Sequence, residues 1–90
     1  MARIALQTPD KPPQQLASES DGLVTIILIN LSGANIYLER DPAKCNAQDG
    51  YPLPNNGQFP ANNTWKGNLY ASCDLANGVV FVLKSAELKP

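Results

Sequence analysis

Ninety residues, with seven basic and eight acidic side chains, a net charge of −1 and no histidine, make one small domain. The basic residues stand singly, so the basic stripe of a nucleic-acid binder is missing. Without histidine the chain lacks the commonest general base, the Ser-His and Cys-His nucleophile pairs and the usual ligand of zinc and iron, so no catalytic, metal or cofactor site is expected.

The N-terminal run MARIAL is too short an apolar segment before Pro9 to act as a signal peptide. No stretch approaches the ~18 apolar residues of a membrane span. The expectation is a soluble chain made in the cytoplasm, with no membrane partner. Residues 7–22, QTPDKPPQQLASESDG, hold three prolines and Leu16 as their one large aliphatic side chain. Residues 1–22 therefore read as an extended proline-rich arm, outside a folded domain of residues 23–90. Such an arm spans roughly 70 Å when fully extended. Its partner contacts would come from Ile4, Leu6, Pro9, Pro12, Pro13 and Leu16, with ARIAL adding as a strand to another sheet.

Residues 23–30, LVTIILIN, are rich in β-branched side chains and predict a strand. Both of its faces are apolar, which suits a strand covered on both sides; in so small a fold, another subunit can be one cover. LSGAN supplies turn residues, and ANIYLER follows as a second strand, so an antiparallel hairpin is expected between them. Asp41-Pro42 then stops the pairing. Residues 43–65 read as mostly loop. Residues 69–75 alternate again, with Leu69, Ala71, Cys73 and Leu75 on one face. Asn77-Gly78 is a tight-turn pair. GVVFVLKSAEL forms the last strand, where Lys84 and Lys89 look like charges guarding an open edge. No helical period of useful length occurs; residues 14–20 allow one turn at most. The pattern predicts an all-β chain, a small antiparallel β-sandwich or open barrel.

Cys45 and Cys73 fit no CxxC or zinc framework and are expected to stay free, Cys73 buried and Cys45 incidental. Lys84 and Ser85 are strand neighbours on opposite faces and cannot act as a Ser-Lys pair. Asp41, Asp49 and Asp74 read as solvated loop acids, and no glycine-rich phosphate cradle is present. The triplets at residues 30–32 and 62–64 match a glycosylation acceptor only by accident of composition. GYPLPNNGQFPANNTW, residues 50–65, carries no charge, three prolines, four asparagines and three aromatic rings. Tyr51, Phe59 and Trp65, joined by Tyr70, have two readings. They form a platform for a glycan, with the amides of Asn55, Asn56, Asn62 and Asn63 as hydrogen-bond partners, or they close the open end of the sandwich. The second is the plainer. A neutral loop stiffened by proline also suits protein contacts, because little conformational entropy is lost on docking.

The order of ILINLSGANIYL, GYPLP, GNLYASCD and GVVFVL resembles small β-sandwich structural proteins of tailed-bacteriophage virions. The likeness covers roughly residues 23–84. This chain departs from it in a longer segment between Glu39 and Gly50, a tryptophan ahead of the LYA strand and the proline-rich N-terminus. The resemblance implies a capsid decoration or cement subunit, assembled into the virion in the host cytoplasm. Its partners would be phage capsid or other virion proteins and copies of itself in a homo-oligomer. A head–tail joining or tail-associated subunit, or a glycan-binding adhesion module, are the alternatives.

Overall fold

Burial along residues 23–30 alternates strictly. Val24, Ile26, Leu28 and Asn30 are buried, while Leu23, Thr25, Ile27 and Ile29 are half-buried. This period of two is that of a strand with one face on the core. In a computed structural model, which describes residues 2–60 and 64–86, nine strands follow in order. They are β1 (Ala2–Leu6), β2 (Gln14–Ala17), β3 (Leu23–Asn30), β4 (Ile36–Glu39), β5 (Tyr51–Leu53), β6 (Gln58–Phe59), β7 (Thr64–Lys66), β8 (Leu69–Cys73) and β9 (Gly78–Ala86).

The strands form two antiparallel sheets packed face to face, the all-β sandwich that the pattern predicts. The first runs β1-β9-β3-β6, with β7 also on β3; β6 pairs with Leu28 and Ile29, and β7 with residues 23–25, so the two share one interrupted edge. The second runs β2-β8-β4-β5. Ile26, Leu28 and Val80 from the first sheet meet Ile36, Leu69 and Ala71 from the second in a single core. All six are at most 1% exposed, so the space between the sheets is sealed.

The expected N-terminal arm is instead part of the sandwich. β1 pairs with β9 from Ala2↔Val82 to Leu6↔Gly78, and β2 pairs with β8, giving each sheet one edge strand. Leu6 and Leu16 lie in the core. Proline misled the arm expectation: Pro9, Pro12 and Pro13 fall in the crossing between the sheets, where no ladder hydrogen bonds are required.

The expected hairpin of residues 23–39 is also corrected, since β3 and β4 belong to different sheets. Buried Asn30 explains the crossing. Its Nδ2 donates to the carbonyls of Ala34 (2.6 Å) and Leu53 (2.7 Å), while its Oδ1 accepts from Ser32 N (2.9 Å) and Ser32 Oγ (2.6 Å). These bonds turn the chain out of the first sheet and fasten it to β5 of the second. Asn77-Gly78 behaves likewise, leading from β8 in one sheet to β9 in the other, with Asn77 at φ 62°.

Candidate functional site

The two sheets differ in what covers their outer faces. On the second sheet, Tyr37 and Ser72 pair across β4 and β8 and point away from the core, yet both are buried. Residues 42–50, within or beside the segment expected to be mostly loop, form the lid. Asp41 caps a short 3-10 turn, Pro42–Lys44, by accepting from Ala43 N at 3.0 Å. Cys45 then packs down, its Sγ donating to the Tyr37 carbonyl (3.0 Å) while Ser72 Oγ donates to the Cys45 carbonyl (2.6 Å). Cys45 is therefore a packing residue rather than an incidental thiol, and burial raises its pKa above the ordinary thiol value. It remains free, as does Cys73. The lid sits so close that a Cβ on Gly50 would lie 2.8 Å from the Asn46 carbonyl oxygen and 3.0 Å from Tyr37 Cβ. Tyr37 OH donates to Asp74 Oδ2 (2.7 Å), and that bond to a carboxylate raises the phenol pKa.

The first sheet has no such lid among the described residues. Its outward positions follow from the register: Ile29 opposite Phe81, Ile27 opposite Leu83, and Ala5 opposite Val79. Leu31, whose N–H donates to the Val79 carbonyl, extends the same row. Leu31 and Leu83 are 41% and 40% exposed, and Ile27, Ile29, Val79 and Phe81 are half-buried. Six large apolar side chains thus form one continuous surface over two neighbouring strands. On a monomer, a patch of this kind marks an interaction site.

The structure brings Tyr51, Phe59 and Trp65 together at the seam between the sheets. Phe59 stands 5.5 Å from each of the other two rings, tilted 49° to Tyr51 and 59° to Trp65. With Leu38, Leu69, Glu39 and Arg40 they line a cleft of about 240 Å³. The three rings share no plane, and the Arg40 guanidinium lies 4.2 Å from the Trp65 ring centroid, over its face. Arg40 Nη1 also donates to the Lys66 carbonyl (2.8 Å), and Trp65 Nε1 to the Gly67 carbonyl (3.0 Å). Phe59 and Trp65 pack against the core. This geometry is that of a plug with a shallow mouth, in which the three tilted rings make no flat stacking surface among the described residues. Tyr70, on β8, does not line the cleft. Asn62 and Asn63 lie outside the described residues. Arg40 carried no sequence signal, because its aromatic partner is 25 positions away.

The residues expected to form the arm's contacts are scattered. Leu6 and Leu16 are buried in the core, and Ile4 packs against it. Pro9 and Pro12 are exposed and Pro13 half-buried. Lys84 lies past the β1 ladder, which reaches only Val82, and pairs with Ile26 of β3; its ammonium reaches the Leu16 carbonyl (3.3 Å) and Asp21 Oδ2 (3.2 Å). This lysine lines a shallow concavity with Gln14, Gln15, Leu16, Ser18 and Asp21. Lys89 is outside the described residues.

Among the described residues, no three or more His, Cys, Asp or Glu side chains lie together as a metal site, and no helix is long and apolar enough to cross a membrane. Comparison with protein-family models, curated proteins and solved structures finds no match.

Proposed function

We propose that this chain is a non-enzymatic structural subunit that acts by docking onto other proteins, and that it decorates the capsid of a tailed bacteriophage. The observation that carries the docking role is the uncovered apolar outer face of the first sheet, set against the covered face of the second. The chain spends residues 42–50 on a lid for the sheet whose outer side chains include Ser72 and Glu39. It leaves open the sheet that presents Ile27, Ile29, Phe81 and Leu83. A marginal core of this size gains from a partner that removes such a face from water.

The virion assignment rests on the order of the four motifs alone. Decoration fits a compact subunit whose N-terminus is held in its own sheets, because partner contact then falls to a preformed face. Capsid proteins and further copies of the chain are the partners proposed for it, in the particle assembled in the host cytoplasm.

Quantitative mass spectrometry of purified particles tests this. A copy number comparable to that of the major capsid subunit is expected. A count matching a single ring would move the chain to the head–tail junction, and its absence from particles would overturn the assignment.

A further inference from the structure

We infer that the outer face of the first sheet is completed by a second copy of this chain, the two faces stacking about a two-fold axis. The inference rests on the docking role proposed for that face and names its occupant.

Three properties of the face point to self-pairing. The first is composition by position. Its centre, Ile27, Ile29, Phe81 and Leu83, is wholly apolar. An isologous interface sets a patch against itself, and a centre without charge or unpaired polar groups meets its own copy with no repulsion and no stranded polar group.

The second is where the charges lie. The charged outward positions that the register defines are Arg3 on β1, opposite Phe81, and Lys66 on β7, opposite Leu23. They occupy opposite edges of the sheet, Arg3 level with Ile29 near its middle and Lys66 level with Leu23 at one end. An axis across the strands would leave the two Arg3 side chains close together in one column. A two-fold axis along the strands instead sets Arg3 over the column of β6 and keeps each cation away from its own copy, so the charges select that axis.

The third is area. β3 and β9 are eight and nine residues long. At ~3.4 Å per residue and ~4.8 Å between four columns of strands, the face covers roughly 500 Å². Two such faces remove roughly 1,000 Å² from water, which reaches the lower limit of a specific interface. Sheets stacked in this way pack ~10 Å apart, with their strands turned by ~30°. The assembly would be four layers deep, with the lids of residues 42–50 on its two outer surfaces.

Light scattering on the full chain, wild type and Leu83→Lys, tests the inference, together with the fluorescence of the apolar dye anilinonaphthalene sulfonate. Leu83 is 40% exposed, so lysine at this position leaves the core untouched. The wild type is expected at twice the mass of the 9.7 kDa chain, and Leu83→Lys at the single mass with an unchanged far-ultraviolet circular dichroism spectrum. If Leu83→Lys fails to fold, Ile27→Lys gives the same comparison. A wild type that stays dimeric with lysine at either position would overturn the inference, because the interface would lie elsewhere. A monomeric wild type that binds the dye, with binding lost in Leu83→Lys, would also overturn it while leaving the face open for a different protein. A monomer that binds no dye would overturn both the second copy and the docking role.

Discussion

Asn30 is the residue on which the sandwich turns. It is 0% exposed, and its amide satisfies two carbonyls on one side and the Ser32 backbone and hydroxyl on the other. Replacing it with alanine takes the amide donor from the buried Leu53 carbonyl, while the Ala34 carbonyl keeps Ser32 Oγ at 3.0 Å, and a buried unpaired group costs about 1–3 kcal/mol. Urea unfolding of Asn30→Ala should show a loss of about 1–3 kcal/mol. Asn30→Asp should lose at least as much, because a carboxylate cannot donate to those carbonyls. An unchanged midpoint would show that the crossing is held by something other than this side chain. The sequence did mark Asn30, but as a chance glycosylation triplet; a buried amide cannot be told from an exposed one without knowing which carbonyls it will meet.

Two titrating groups bracket the stability of the fold. Asp21 is held below its ordinary value of 3.8, first by the Ser18 backbone N–H and then by Lys84. Its contribution is therefore present above the ordinary carboxylate range and is lost as pH falls through the lowered native value. Tyr37 is displaced the other way, raised above 10.0 by its bond to Asp74 and by burial. Its contribution holds below pH 10.0 and is lost as pH rises through the native value. Denaturant midpoints measured against pH should show Asp21→Asn flattening the acid limb and Tyr37→Phe flattening the alkaline one. Unaltered limbs would contradict these assignments.

At the scale of the element, the N-terminal strands decide whether the domain folds. A free arm would leave the sandwich intact when removed. The observed pairing predicts the opposite, because deleting residues 1–17 strips an edge strand from each sheet and takes Leu6 and Leu16 out of the core. Burial of each of those leucines is worth about 1.5–3 kcal/mol, a large share of what a domain of this size has. Circular dichroism of the truncated chain should show no cooperative thermal transition; a sharp one would restore the arm. Gly78 makes a similar point on a smaller scale. A Cβ there would lie 2.5 Å from Cys73 Sγ and 2.8 Å from Ser32 Cβ, so Gly78→Ala should lower the melting temperature by several degrees.

The strands β3, β4, β8 and β9 were legible in the sequence because β-branched runs and strict alternation report a pleated, half-buried chain. Which sheet each would join was not legible. Short connections such as LSGAN and LAN suit a hairpin and a crossing equally, and the choice depends on bonds like those of Asn30 that join residues distant in the chain. For a related reason β2 was missed and β1, expected as a strand on another sheet, was placed outside the domain: each is an edge strand of five or four residues near prolines, and it gains order only from β9 and β8. The aromatic site was half legible. Its three rings were visible, whereas the guanidinium that covers Trp65 was not.

For the molecule as a whole, the asymmetry between the sheets matters most. The outer face of the first sheet derives from a strand that the sequence marks as apolar on two sides, that of the second from alternating strands with Tyr37, Tyr70 and Ser72 outward, and only the second is closed by this chain's own residues. Tyr37 and Ser72 lie beneath Cys45 and its neighbours. Ile27, Ile29, Phe81 and Leu83 face outward without a comparable cover among the described residues. The cleft at the seam is secondary to this surface, since Arg40 occupies the ring face that a flat ligand would use. Arg40→Ala should therefore cost about 0.5–1 kcal/mol in urea unfolding through the lost cation–π contact and leave the oligomeric state unchanged. A change of mass would move the interface to the seam.

The most direct test is an isotope-filtered nuclear Overhauser experiment on a mixture of labelled and unlabelled full-length chains. Cross-peaks between copies are expected from the methyl groups of Ile27, Ile29 and Leu83 and from the ring of Phe81, with none from Ile26 or Leu28. Contacts arising only from other parts of the surface, or no contact between copies at millimolar concentration, would contradict the claim that this face pairs with itself.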